Sequence, residues 1–241
     1  MKYKIILKSS HKHFDRVDSC LKTWLSPLNY VIITDKLTGI ANELSMSDND
    51  KYNSNEEKTV NFINYVQAHP NDFNEDWFVF IDDDAILNSA LFESIMPYLD
   101  KNVVYGTQMK GSYKKEPELN YPSGGCGYFI SPELIKKCKP MTAKGYGFED
   151  VCIGKWLEEN RVKIHDKYMN GSLMISIKLN GWFPWPKHFD KVSEKGDEYI
   201  NEMIKTLTPE DVTLLHKNVT NHYIRHRSLM QYIYDQIKKP Q

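Results

Sequence analysis

Three aspartates in a row, Asp82, Asp83 and Asp84, follow the apolar run Trp77, Phe78, Val79, Phe80 and Ile81. Like charges this close repel and raise one another's pKa. A divalent cation relieves that cost, and oxygen-only ligands suit a hard ion such as Mg²⁺ or Mn²⁺. Such an ion keeps open positions that a diphosphate can fill. The alternative is a solvated acidic turn. The preceding run, which reads as a strand covered on both faces, favours a site.

The elements that must position these carboxylates can be read on either side. Residues 3–8 form a first buried strand, ending at Ser9. Val17, Leu21, Trp24 and Leu25 recur at helical spacing until Pro27 stops the run. Residues 30–34 are a second strand with Asp35 just past its end. A polar loop covers 42–55, a helix 56–68, and the third strand 77–81. This order predicts an α/β fold with a mostly parallel sheet. Ligands of such sheets sit beyond the carboxyl ends of the strands, so Ser9, Asp35 and the aspartate triplet should converge on one crevice.

The second half is less regular. Helices are predicted over 89–99, 132–138, 149–160 and 228–239. Short strands are predicted at 103–105, 128–130 and 213–215, the last just before His216. A Gly-rich turn, 121–128, enters the strand at 128–130. Trp182 and Trp185 lie in an irregular Pro-containing segment.

Composition excludes several classes. The 241 residues carry 31 Lys and Arg against 32 Asp and Glu, a net charge of -1. Only Arg16, Arg161, Arg225 and Arg227 are arginines, and this poverty argues against a nucleic-acid-binding protein. A hydrophobic fraction of 41% and a charged fraction of 26% are those of a globular chain. No apolar run approaches the roughly 18–20 residues of a membrane span. The N-terminus, with three consecutive apolar residues, is too short for a signal-peptide core. A cytoplasmic protein is expected, or else the lumenal part of an anchored one. Cys20, Cys126, Cys138 and Cys152 lack C-x-x-C spacing and read as reduced thiols, with a Cys138–Cys152 disulfide left open.

The segment from Trp77 to Ala85 resembles the aspartate motif of GT-A glycosyltransferases, and more narrowly that of the fringe and core-1 β1,3-galactosyltransferase family. Other landmarks follow in the family's order. They are Arg16 with Thr23 and Trp24, the pair Lys58 and Thr59, and the turn Tyr121, Pro122, Ser123, Gly124, Gly125, Cys126, Gly127, Tyr128. Then come Phe148, Glu149, Asp150 and Val151 with Gly154 beyond, and finally Leu215 and His216. Cys126 stands where the family has Ala, and the stretch after Gly171 diverges.

The resemblance implies a single GT-A domain over 1–241, with a Rossmann-like nucleotide-sugar half (1–105) and an acceptor half (106–241). It implies a metal-dependent inverting transfer of a hexose or N-acetylhexosamine from a UDP-sugar to a hydroxyl acceptor, a glycan joined by a β1,3-type linkage. Asp84 and His216 would hold Mn²⁺ or Mg²⁺ with Asp82 nearby, a neutral imidazole suiting Mn²⁺ better. Asp82 and Asp83 would approach the ribose, and Arg16 and Lys58 the phosphates or uracil, with Ser9 and Asp35 in the same nucleotide-sugar site. Gly124 and Gly125 would let the backbone pass close to sugar or acceptor, and Trp182 and Trp185 would stack on acceptor rings. Inversion needs a base opposite the leaving UDP. Asp150 is the candidate and Glu149 the second choice, although acidic residues also favour helix starts for dipole reasons. Two alternatives stay open: a non-catalytic sugar or nucleotide-binding module, and a phage or viral transferase acting on modified DNA.

Overall fold

The computed structural model describes residues 1–49, 51, 54–113, 116–166, 205, 220–221 and 227–238. Its centre is a seven-stranded sheet. In chain order the strands are β1 (Tyr3–Lys8), β2 (Tyr30–Thr34), β3 (Glu43–Ser45), β4 (Trp77–Asp82), β6 (Val104–Gly106), β9 (Tyr128–Ile130) and β10 (Ile164–His165). Their spatial order is β10-β6-β9-β4-β1-β2-β3. The pairs β1–β2, β1–β4, β2–β3 and β6–β10 are parallel, while β9 runs antiparallel between β4 and β6. The expected α/β architecture with a mostly parallel sheet is the observed one. The sheet also crosses the 105/106 boundary, because β9 and β10 come from the second half.

Both faces are covered, and the period of two along each strand divides its side chains between them. In β4, Trp77, Val79 and Ile81 enter one core and Phe78 and Phe80 the other, all fully buried. Burying such a side chain stabilises the fold by roughly 2 kcal/mol. The first core is closed by α1 (Phe14–Cys20) with its π-helical continuation Leu21–Leu25, by α3 (Ser89–Ile95) and by α6 (Arg227–Lys238). The second is closed by α2 (Ser54–Ala68), α4 (Pro132–Lys137) and α5 (Glu149–Glu159). Two small ribbons complete the described residues. β5 (Ile86–Leu87) pairs with β11 (Thr220–Asn221), and β7 (Gln108–Tyr113) with β8 (Glu116–Pro122).

The structure departs from the sequence reading at three places. The presumed polar loop 42–55 contains edge strand β3, held by Ile32 N–H donating to Asn42 O at 2.9 Å and Met46 N–H to Thr34 O at 2.8 Å. The helix expected over 89–99 ends at Ile95, and Met96–Tyr98 is a 3-10 turn around Pro97, which has no N–H to continue the ladder. The β7–β8 hairpin, mostly polar but packing Leu119 and Tyr121 on the core, was absent from the predicted elements. All four cysteines are free.

Helix α5 reaches β8 through a glycine contact. A Cβ on Gly154 would lie 2.5 Å from Tyr121 Cβ and 2.6 Å from Asn120 O, backbone that cannot swing aside. Gly154→Ala is therefore expected to force α5 off β8 and cost roughly 1–3 kcal/mol, read as a fall in Tm or in the denaturation midpoint. An unchanged midpoint would show that α5 has room to shift.

Candidate functional site

Strands β1 and β4 end side by side in register, which places Lys8 opposite Asp82. Lys8 is 2% exposed. Its ammonium lies 3.0 Å from Asp82 Oδ1 and donates to Glu149 Oε1 and, at 3.2 Å, to Gly124 O. One buried cation thus joins the aspartate strand, the Gly-rich turn and the first turn of α5. Burial alone would lower its pKa, but Asp82 and then Glu149 outweigh that and push it up, so Lys8 is charged.

The carboxylates outnumber this cation. Burial raises Glu149 to about 7, with Lys8 pulling it down and Asp150 adding to the rise. Asp150 is also raised, first by burial, against the hydrogen bonds it accepts from Val151 N–H at 2.8 Å and Gly124 N–H at 3.4 Å. Gly124 is clamped between these groups, since a Cβ there would sit 2.2 Å from Glu149 Oε2. The close approach that its lack of a side chain permits is therefore to the Glu149 carboxylate. Gly125 lies in the same turn, which Gly127 closes by donating to Gly124 O at 3.1 Å with φ +78°.

Ser9, Arg16, Lys58, Asp83 and Asp35 form a second group. Ser9 Oγ donates to Asp83 Oδ2 at 2.6 Å, and Arg16 Nη1 is 3.5 Å from Asp83 Oδ1. Burial, only partly offset by Arg16, raises Asp83 to about 6. The Lys58 ammonium, 1% exposed, donates to the Ser9 carbonyl. Burial lowers its pKa, while Asp35, Asp83 and Asp82 oppose the fall. The predicted convergence of Ser9, Asp35 and the triplet is thus built around Lys58. Asp35 itself accepts from His11 N–H at 3.0 Å and pairs with His11 Nδ1 at 2.5 Å. Beside it, between the ends of β1 and β2, is a small cavity lined by Ser9, Ser10, Phe14, Thr34, Thr38 and Glu43 among others.

The triplet therefore meets protein cations first: Lys8 faces Asp82 and Arg16 faces Asp83. Asp84 is buried at 3% exposure, one residue beyond. Its hard oxygen donors suit Mn²⁺ or Mg²⁺. No three His, Cys, Asp or Glu side chains gather in metal-binding geometry among the described residues. His216, Trp182 and Trp185 lie outside the described residues. Sequence reasoning missed Lys8. The signal was there: an apolar strand ending in Lys, parallel to one ending in Asp, confronts the two charges if the registers align.

A family model described as Fringe-like matches residues 4–165. The match covers more than half of the chain and spans the residues above from Ser9 to Asp150. The chain belongs to the Fringe-like family, and a glycosyltransferase is the activity that membership supports. Among solved structures, A197 from STIV is 14% identical with a TM-score of 0.39, the match covering 69% of this chain and 82% of that one. A glycosyltransferase involved in the glycosylation of the major capsid of PBCV-1 is also 14% identical, TM-score 0.39, covering 70% and 83%. No helix among the described residues is long and apolar enough to cross a membrane.

Two outcomes follow from the electrostatics. Lys8→Met leaves the buried Glu149 and the half-buried Asp82 without their cation and should cost about 3–5 kcal/mol in chemical denaturation. A loss below about 1 kcal/mol would mean that Lys8 is not what balances them. Asp35 is the second. Burial would raise its pKa, but the His11 hydrogen bonds outweigh burial and lower it from 3.8 to about 2. Its stabilising contribution is present above its unfolded pKa and disappears as pH falls through about 2. Asp35→Asn should remove this part of the acid limb of the stability curve, and parallel curves for variant and wild type between pH 5 and 2 would refute it.

Proposed function

We propose that this Fringe-like protein is a metal-dependent inverting glycosyltransferase. It moves a hexose or N-acetylhexosamine from a UDP-sugar to a hydroxyl of a glycan acceptor, forming a β1,3-type linkage. The observation that carries the reading is the juxtaposition across Lys8. A strand-end aspartate triplet faces the buried Glu149 and the half-buried Asp150, with a glycine turn between them. A donor diphosphate and an acceptor hydroxyl need two such carboxylate groups on opposite sides of one carbon.

On the donor side Asp84 supplies a hard carboxylate for Mn²⁺ or Mg²⁺, with His216 as its partner ligand and Asp82 close by. Support for His216 is its place in the chain, four residues before Thr220, which pairs with Leu87 just beyond the triplet. The metal would offset charge on the departing diphosphate. Ser9, Arg16, Asp35 and Lys58 enclose the nucleotide side, and Asp83, held by Ser9 and Arg16, turns its carboxylate inward.

On the acceptor side Asp150 is the base. Burial raises its proton affinity, and two backbone N–H groups hydrogen-bond to its carboxylate and orient it. Its Oδ atoms take the proton of the acceptor hydroxyl as that oxygen attacks the anomeric carbon. Glu149 is committed to Lys8 and fits a supporting role better. Gly124 and Gly125 carry the backbone along this edge, and Trp182 and Trp185 are the proposed acceptor platforms.

The test is a panel of UDP-sugars with Mn²⁺, scored by UDP release. Wild type should release UDP from one donor, and EDTA should abolish release. Asp84→Ala should lose Mn²⁺-dependent UDP binding by calorimetry while still folding. Asp150→Asn should bind UDP within about twofold of wild type and lose about 10²–10⁴ in turnover. Undiminished turnover in Asp150→Asn would remove it as the base, and unchanged UDP affinity in Asp84→Ala would remove the metal assignment.

A further inference from the structure

The first turn of α2 meets the site from behind on both sides. Lys58 donates to the Ser9 carbonyl on the donor side. Two residues earlier, Glu56, 3% exposed, reaches a segment some ninety residues along the chain. Its Oε1 accepts from Lys144 N–H at 2.7 Å and Gly145 N–H at 2.8 Å, and its Oε2 accepts from Gly147 N–H at 2.7 Å. Three backbone hydrogen bonds converging on one side chain fix the segment's position and direction together.

The segment so held has no helix or strand of its own. Gly145 and Gly147 have φ of +68° and +78°, a path that other residues rarely take. It runs directly into Phe148, the N-cap residue of α5, and then into Glu149 and Asp150. Phe148 makes no side-chain cap hydrogen bond. The usual device that fixes a helix start is therefore missing here, and the approach to α5 is fixed by Glu56 instead.

We propose that Glu56 is a positioning residue for the Glu149–Asp150 pair. By holding residues 144–147 it sets where α5 begins, and so where the Asp150 carboxylate stands against Gly124. The inference rests on the reading of Asp150 as the base. A general anchoring role for α2 predicts something different, and Asn64 provides the comparison. Asn64 lies two turns along the same helix. Its side chain accepts from Met141 N–H at 2.9 Å and donates to Met141 O at 2.8 Å. It ties down the same connection upstream, without leading into α5.

Glu56→Gln keeps the size of the side chain and replaces one acceptor oxygen with a donor. The measurements are UDP release from the donor that wild type uses, UDP affinity by calorimetry, and amide exchange over 144–151 by mass spectrometry. Glu56→Gln should lower kcat at least tenfold, leave KM and UDP affinity within twofold, and speed exchange over 144–151 at least tenfold. Asn64→Ala should keep kcat within twofold even where it lowers Tm as much. Wild-type kcat in Glu56→Gln, or an equal loss of kcat in Asn64→Ala, overturns the proposal. Should wild type release UDP from no donor, the transferase reading falls, and exchange decides the positioning alone. Unchanged protection over 144–151 in Glu56→Gln overturns it, and a tenfold increase sustains it.

Discussion

Everything at the centre of this protein is arranged around one buried ammonium. Lys8 ends a strand whose other inward residues are Ile5, Ile6 and Leu7, and it is as inaccessible as they are. A charge in that position is tolerated only with partners. Those partners, Asp82, Glu149 and Gly124 O, come from three parts of the chain that share no local structure. Forming the ion pairs therefore requires the strand, the helix start and the glycine turn to meet at one point. The same requirement places two groups of carboxylates on either side of the Lys8 ammonium.

The cost of that arrangement is visible in the neighbouring groups. One ammonium cannot balance Asp82, Glu149 and Asp150 together, and Glu149 and Asp150 are both raised as a result, burial being the leading cause. On the other side Arg16 and Ser9 take up Asp83. The protein thus supplies its own counter-charges for two aspartates of the triplet. Sequence alone led to the expectation that an external cation was needed for the cluster as a whole. Repulsion within the triplet is therefore already partly relieved by the chain's own Lys8 and Arg16.

How far the sequence carries depends on how local the deciding interaction is. Strands β1, β2 and β4 are short runs of Ile, Val, Leu, Phe and Trp, and their neighbours in the sheet follow from βαβ order, so they were legible. β3 was not, because Leu44 is its one apolar residue and its pairing is set by β2. The β7–β8 ribbon was not, because its buried face is marked by Leu119 and Tyr121 alone, between polar residues and prolines. Asp82 to Asp84, Glu149 and Asp150 could be found from motif spacing. Lys8 and Glu56 could not, since each gains its meaning from a contact made about 90 to 140 residues away. A charged residue at the end of a strand or the start of a helix reads as solvent-facing until the fold covers it.

Strand β9 has a consequence for how the chain must assemble. It lies between β4 and β6, although it is made after both. Until residue 130 has emerged, β4 keeps a long apolar edge open and β6 has no neighbour on that side. An open edge of that kind is a template for pairing with another chain. Vectorial synthesis therefore leaves a window in which five strands of the sheet, β1, β2, β3, β4 and β6, are in hand but cannot be sealed, and its length is set by the β7–β8 ribbon. A cut at residue 105 would make that window permanent, and its expected product is an aggregating fragment.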